Sequence, residues 1–183
     1  MGNKAFIVTG RHVAVSDMMK QLTALLDENG IGCVIFDGIT GEPTDTMIEN
    51  GVEMLKSSGC DFIIGIGGGS PLDSAKAIAA MAVNEGSIAD YNGKEITGEI
   101  LPLAAIPTTA GTGSEATKFT VITDSEKGIK MLLKGDVLVP KLAIVDSSFT
   151  VGAPKSVTSA TGLDALTLSL IHISEPTRHL RIS

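Results

Sequence analysis

Two glycine-rich segments hold the residues whose types and spacing favour nucleotide chemistry. Gly67–Lys76 reads Gly-Gly-Gly-Ser-Pro-Leu-Asp-Ser-Ala-Lys, and Pro107–Glu115 reads Pro-Thr-Thr-Ala-Gly-Thr-Gly-Ser-Glu. Glycines let backbone N–H groups approach a ligand, and a helix N-terminus directs partial positive charge at it, which suits a phosphate. One such loop is often only a tight turn. Two of them, each after a short apolar run, predict a mononucleotide or dinucleotide cofactor.

The polar side chains of these segments suit the same ligand. The Ser70 hydroxyl can donate to a phosphate oxygen, and Asp73 falls on the first turn of the following helix. A negative charge there also complements the helix dipole, so helix stabilisation alone is an alternative explanation for Asp73. Thr108, Thr109 and Thr112 supply hydroxyl and amide donors at the second strand end. Taken alone, that threonine segment is also compatible with a structural turn.

The composition excludes some partners and indicates the kind of core. A formal net charge of −7 argues against nucleic acid and anionic membranes as partners. No apolar stretch approaches the roughly 20 residues that span a bilayer, and Met1–Lys4 is no signal peptide. With 3% aromatic residues and no Trp, the core must be aliphatic, as in parallel strands covered by helices. Cys33 and Cys60 are expected to be reduced thiols in a cytoplasmic protein.

Short apolar runs alternate with helical patterns in the first part of the chain. Strands are expected at Ala5–Thr9, Cys33–Phe36, Phe62–Ile66 and Leu103–Ile106. Helices are expected from Ser16 to Asn29, from a cap at Thr44 to Lys56, and from Pro71 to about Val83. This order predicts an α/β fold with a doubly wound parallel sheet that binds ligands at the carboxyl ends of its strands.

The pattern changes after Glu115. Short strands are expected at Phe119–Thr123, Ile129–Leu133 and Leu142–Asp146, with a hairpin turn over Thr123–Gly128. A helix is expected to start near Val157.

A third segment, Ala160–Leu166, reads Ala-Thr-Gly-Leu-Asp-Ala-Leu. Together with Gly67–Lys76 and Pro107–Glu115, in this order and spacing, it resembles the iron-containing (group III) alcohol dehydrogenases. The resemblance runs from about Lys4 to Thr167 and implies a Rossmann-like domain. Glycerol dehydrogenases and dehydroquinate synthases share the architecture but fit less well, because they place different residues after Gly-Gly-Gly and lack the Thr-Thr-Ala-Gly-Thr loop.

The resemblance implies a set of cofactor-binding residues and one metal ligand. The cofactor residues are Gly10, Gly67, Gly68, Gly69, Ser70, Asp73, Thr108, Thr109, Thr112, Val121 and Lys130. Lys130 matches a position near the nicotinamide ribose, although by itself a Lys in this pattern is more often a solvated surface charge. Asp164 matches the first ligand of a divalent metal, Fe²⁺ or Zn²⁺. The family pattern also needs a His one helical turn later, where this sequence has Leu168, so the metal site is incomplete.

The activity implied is NAD(P)-linked hydride transfer between an alcohol and its aldehyde or ketone. The metal would polarise the substrate oxygen, and the substrate would be a small molecule. The full-length parent is expected to be a homo-oligomer. Two alternatives stay open: a nucleotide-binding fragment without catalysis, and a metal-free reductase of the same superfamily, which the setting of Asp164 disfavours.

Gly10 bears on the choice between NAD and NADP. Many relatives that prefer NAD have Asp at this strand end, where it accepts hydrogen bonds from the ribose and repels a 2′-phosphate. Gly10 removes that repulsion and Arg11 offers a guanidinium, which favours NADP. Alternatively, Gly10 only makes a turn and Arg11 is solvated.

The sequence also predicts the bounds of two domains and of a tail. We expect a dinucleotide-binding domain over 3–156 that lacks the family's first strand and helix, and the start of a truncated helical metal and substrate domain over 157–167. Residues 168–183 match the translation of a common transposase sequencing adapter and are expected to be a non-native tail. The chain as written is therefore expected to be inactive by itself.

Overall fold

The computed structural model of the chain describes residues 2–174. Its strands are β1 (Lys4–Val8), β2 (Gly32–Phe36), β3 (Phe62–Gly67), β4 (Leu103–Pro107), β5 (Phe119–Asp124), β6 (Ile129–Lys134) and β7 (Leu142–Ala143). Its α-helices are α1 (Arg11–Ala14), α2 (Asp17–Glu28), α3 (Asp45–Ser58), α4 (Gly69–Met81) and α5 (Lys155–Ser174). Short 3-10 helices cover Ile88–Tyr91, Asp136–Leu138 and Ser147–Phe149.

Five strands form one parallel sheet in the order β2-β1-β3-β4-β7. In the centre, Ala5 of β1 pairs with Cys33 on one side and with Phe62 on the other. Because all five strands are parallel, their carboxyl ends meet at one edge of the sheet. The predicted doubly wound α/β fold is confirmed.

Helices cover both faces of this sheet, as its aliphatic strands require. On one face Phe6 and Ile63 pack with Ile78 of α4 and Ile48 of α3. On the other face, the side chains that alternate with these, such as Ile7 of β1, pack with residues of α2. The two cores make the carboxyl edge of the sheet a rigid support for the loops that leave it.

The helix boundaries follow local chemistry. The Thr44 hydroxyl accepts from the backbone N–H of Met47 at 3.3 Å, which confirms the predicted cap of α3. In the same way the Ser16 hydroxyl accepts from Met19 at the start of α2, again at 3.3 Å. Helix α3 ends at Gly59, whose φ of +67° suits glycine.

Strands β5 and β6 form the predicted antiparallel hairpin, separate from the main sheet. Ile122, Met131 and Leu133 are buried on its inner side, whereas Phe119 and Leu132 are exposed on its outer side. The alternation fixes which side chains the hairpin presents beside the main sheet.

Helix α5 begins before the predicted start and continues past Thr167. Its apolar side chains are largely exposed, Leu168 by 53%. Residues 175–183, which belong to the predicted non-native tail, lie outside the described residues. None of the helices described in the chain is both long and apolar enough to cross a membrane.

Candidate nucleotide-binding site

The two glycine-rich segments meet at the carboxyl edge of the sheet. Gly67 at the end of β3 pairs with Pro107 at the end of β4, and the N–H of Thr108 donates to the carbonyl of Gly67 at 2.8 Å. A β-carbon added to Gly68 would lie 3.2 Å from Oγ1 of Thr109. The segments therefore lie side by side at the carboxyl edge of the sheet, as the sequence predicted.

The backbone requires glycine at 67, and glycine at 69 lets the Thr112 side chain approach closely. Gly67 has a φ of +147°, and a β-carbon there would lie 2.7 Å from Cγ of Pro71. A β-carbon at Gly69 would lie 3.0 Å from Cγ2 of Thr112. Helix α4 starts at Gly69 with Gly68 as its N-cap, so its first N–H groups have no acceptor within the helix and suit an anionic ligand.

A cavity lies on each side of the Gly67–Pro71 turn. The smaller, of about 370 Å³, is lined by Gly10, Arg11, His12, Val13, Ile39, Thr40, Gly67, Gly68 and Pro71. The larger, of about 510 Å³, includes the predicted residues Gly69, Ser70, Asp73, Thr112, Val121, Lys130 and Asp164 in its lining. The predicted residues thus divide between two cavities, with Thr108 and Thr109 in the turn that borders the glycines.

Asp73 is held against the hairpin with its carboxylate largely buried. Its Oδ2 accepts from the N–H of Val121 at 2.9 Å, and its carbonyl accepts from the Thr120 hydroxyl at 2.8 Å. Its Oδ1 is buried and has no hydrogen-bond partner among the described residues. Burial raises the pKa of Asp73, although the Val121 N–H, the Ser114 hydroxyl and the charge of Lys76 offset part of that rise. A buried acceptor atom without a partner is rare in folded proteins and costs folding free energy.

Lys76, the last residue of the first glycine-rich segment, joins α4 to the β5–β6 hairpin. Its side chain is fully buried, and Nζ donates to the carbonyls of Thr117 and Phe119 at 2.7 and 2.9 Å. Burial lowers the pKa of Lys76, which the nearby Asp73 and Glu115 carboxylates oppose. These bonds tie α4 to the start of β5 and so fix the hairpin wall of the larger cavity. The position of Lys76 beside the apolar run Ala77–Met81 was a signal of its burial, but nothing in the local sequence indicated its partners.

The hairpin is also fastened to the segment before α3. The N–H of Thr123 donates to the carbonyl of Pro43 at 2.8 Å, and the Ser125 hydroxyl donates to Asp45 at 2.6 Å. Partial burial opposes ionisation of Asp45, but the hydrogen bonds from Ser125 and Thr46 outweigh it and lower the pKa of that carboxyl. Both ends of the hairpin are therefore fixed relative to the glycine loop.

Lys130 does not stand alone as a solvated surface charge. Its Nζ lies 2.6 Å from Oε1 of Glu42, and both side chains line the larger cavity. Glu42 is not among the residues that the sequence predicted for the cofactor site. Its partner lies 88 residues away, and no local pattern indicated the pair.

Gly10 lies at the end of β1 as the N-cap of α1, next to the smaller cavity. It forms a bridge with Gly38, and a β-carbon there would lie 3.2 Å from the carbonyl of Ile39. Arg11 lines the same cavity and is exposed. These positions are compatible with contact between Arg11 and a ligand phosphate, which stays a prediction.

Asp164 of α5 lies at the larger cavity, where Gly111 lets the helix approach. A β-carbon on Gly111, whose φ is +105°, would lie 2.5 Å from the carbonyl of Thr161 and 3.2 Å from Oδ2 of Asp164. Among the described residues, no three His, Cys, Asp or Glu side chains form a group that could hold a metal ion. One exposed carboxylate does not fit a divalent metal by itself, so we derive no step through a metal.

The sequence matches the family of iron-containing alcohol dehydrogenases over residues 1–147. It is 41% identical over 164 residues to the NAD-dependent methanol dehydrogenase of Bacillus methanolicus, covering 89% of this chain and 43% of that protein. It is 39% identical over 170 residues to the 1,3-propanediol dehydrogenase of Citrobacter freundii, covering 91% and 44%.

Solved structures show the same fold. A 1,3-propanediol oxidoreductase superposes with a TM-score of 0.89 at 36% identity, covering 92% of this chain and 44% of that one. The sulfoacetaldehyde reductase of Bifidobacterium kashiwanohense, in complex with NAD⁺, superposes with a TM-score of 0.84 at 32% identity, covering 92% and 45%. The chain spans less than half the length of these relatives.

Proposed function

Because this chain belongs to the iron-containing alcohol dehydrogenase family, we propose that the whole protein interconverts a small alcohol and its aldehyde or ketone. A bound nicotinamide would supply the hydride acceptor, so that the alcohol carbon would lose a hydride to it while the hydroxyl proton is released. The observation that carries the proposal is the meeting of the two glycine-rich segments at one sheet edge, with a cavity on each side. Relatives named as NAD-dependent methanol dehydrogenase and 1,3-propanediol dehydrogenase support it.

The cofactor is proposed to lie across the glycine turn. Its pyrophosphate would accept hydrogen bonds from the N–H groups at the start of α4 and from the Ser70 hydroxyl. The adenosine would occupy the smaller cavity beside Gly10, and the nicotinamide the larger cavity beside Asp73 and Lys130. Thr108, Thr109 and Thr112 would complete the site from the second segment.

NADP is proposed to bind as well as NAD, because no carboxylate is present at Gly10 to repel a 2′-phosphate. Metal dependence is proposed for the whole protein only, with Asp164 as one ligand of Fe²⁺ or Zn²⁺. Cytoplasmic location and homo-oligomeric assembly stay predictions of the family resemblance.

Nucleotide binding without catalysis is the second candidate, for the chain as written. It is supported by the contrast between two cavities beside the glycine turn and a metal ligand set that the described residues do not complete. We also propose that residues 168–183 contribute nothing to cofactor binding, although Leu168 belongs to the lining of the larger cavity.

The two candidates are separated by one experiment on two proteins. The 183-residue chain and a longer protein that contains it and has the full length of its relatives are each assayed for NADH and NADPH binding and for alcohol oxidation. We expect both to bind cofactor and only the longer protein to oxidise alcohols when supplied with Fe²⁺ or Zn²⁺. Cofactor binding by neither protein would refute the proposal. Oxidation by the short chain would refute the non-catalytic candidate.

A further inference from the structure

An ion pair lies at the rim of the larger cavity. Glu42, in the segment between β2 and α3, places Oε1 at 2.6 Å from Nζ of Lys130 on β6. The side chains of Lys130 and Glu42 are 61% and 67% exposed, and both belong to the cavity lining. The pair therefore faces both solvent and any ligand in the cavity.

This ion pair is not needed to fasten the hairpin. Exposed pairs of long side chains contribute little to stability, because solvent screens them and both side chains lose rotamer freedom. The same junction is already held by the Thr123 N–H on the Pro43 carbonyl at 2.8 Å and by Ser125 on Asp45. The Glu42–Lys130 pair therefore acts mainly through the charge that it places beside the larger cavity.

The charges around this cavity favour a cation over a neutral ligand. The charged residues in its lining are Glu42, Asp73, Asp164 and Lys130. Glu42 cancels the charge of Lys130, so the positive ammonium does not act alone on a ligand. Oxidised nicotinamide carries a positive ring charge that the reduced ring lacks, so a nearby charge changes the affinity of the oxidised form most.

We propose that Glu42 is a specificity-determining residue which, by neutralising Lys130, keeps the larger cavity receptive to the oxidised, cationic nicotinamide ring relative to the reduced ring. The inference rests on the proposed function, since it requires the nicotinamide in this cavity. It assigns a role to a residue outside the predicted cofactor set.

The test measures the ratio of the dissociation constants of NAD⁺ and NADH for the 183-residue chain by calorimetry at low salt. Glu42→Gln leaves an unpaired Lys130 and should raise the NAD⁺/NADH ratio about threefold, the effect of one charge acting over about 7 Å in a water-like dielectric. Lys130→Gln should lower the ratio by a similar factor, and the double variant should return it close to wild type.

Two control variants test whether the change in the ratio requires a charge at the larger cavity. Glu49→Gln and Lys56→Gln change the same charges on α3, outside the lining of the larger cavity, and should leave the ratio unchanged. Parallel changes of both dissociation constants in Glu42→Gln, or an unchanged ratio in both single variants, would overturn the inference while leaving cofactor binding intact. Absence of binding of either cofactor form to the wild-type chain would overturn the proposed function and this inference together.

Discussion

At the scale of single residues, the buried carboxylate of Asp73 carries an energetic cost at neutral pH. Its Oδ1 has no partner among the described residues, and burial raises its pKa above the ordinary value. A carboxyl whose pKa is higher in the folded state stabilises the fold while it is protonated. That contribution is lost as the pH rises from the unfolded pKa through the folded one.

Replacing Asp73 by Asn should therefore remove part of the pH dependence of stability. The Asn side-chain oxygen can still accept from Val121, so the wall of the cavity keeps its hydrogen bond. Urea unfolding at pH 4, 6 and 7.5 should show the wild type losing stability relative to Asp73→Asn as the pH rises. A growing advantage of the wild type with pH would mean that Val121 and Lys76 outweigh burial.

The absence of a carboxylate at Gly10 predicts how the chain discriminates between NADPH and NADH. A carboxylate about 4 Å from a 2′-phosphate costs roughly 1 kcal/mol in water and about 4 kcal/mol at an effective dielectric near 20. Since Gly10 removes this repulsion, the chain should bind NADPH at least as well as NADH. Gly10→Asp should weaken NADPH binding several-fold or more relative to NADH, as measured by fluorescence titration.

The control for this substitution is Gly152→Asp, which adds the same charge where a β-carbon meets nothing within 4 Å. Gly10→Asp itself needs a shift of a few tenths of an ångström, because its β-carbon would lie 3.2 Å from the Ile39 carbonyl. A tenfold preference of the wild type for NADH, or an unchanged preference in Gly10→Asp, would show that Gly10 is only a turn residue.

At the scale of elements, the β5–β6 hairpin depends on Lys76 of α4. Lys76→Met keeps the apolar stem but leaves the carbonyls of Thr117 and Phe119 without their donor. We expect a loss of about 2–3 kcal/mol of unfolding free energy, since each buried acceptor costs about 1–3 kcal/mol and removal of a buried charge offsets part. Denaturant unfolding measures this free energy, and Lys56→Met at an exposed position is the control. Equal stability of the two variants would contradict the role of Lys76 in holding the hairpin.

Helix α5 depends on Gly111 for its approach to the crevice. In Gly111→Ala the new methyl group would meet the Thr161 carbonyl at 2.5 Å, on a backbone with a φ of +105° that Ala rarely adopts. Backbone amides of α5 should exchange hydrogen faster, whereas those of β1 and β3 should not change. Gly162→Ala, on α5 where nothing lies within 4 Å, should slow exchange in the helix. Unchanged exchange in Gly111→Ala would show that α5 is positioned by other contacts.

The local sequence pattern was sufficient to predict helix caps and turns but not the contacts between distant residues. The Thr44 cap and the hairpin turn near Gly128 follow from residue types within a few positions. The Lys76–Thr117 and Glu42–Lys130 contacts join positions 41 and 88 residues apart, which no period or motif encodes. The family resemblance supplied the predicted cofactor residues, but the partners that hold Asp73 and Lys130 in place needed the structure.

At the scale of the molecule, the parallel sheet determines where chemistry can take place. It brings β3 and β4 together at one edge, and the turn after β3 separates the two cavities. A dinucleotide has this two-part shape, with a nucleoside on each side of a pyrophosphate. The chain spans less than half the length of its relatives, and the two cavities suit a cofactor of this shape.

The most direct test of cofactor binding at this edge is a nitrogen-15 NMR titration of the chain with NADPH and NADH. We predict that the amide signals of Gly67–Ser70 and Thr108–Thr112 shift most, followed by Gly10 and Val121. The amides of Glu85–Ser87, which line a separate cavity beside α3, should stay in place. Absence of shifts at the two glycine-rich segments, or shifts confined to the cavity beside α3, would contradict the account.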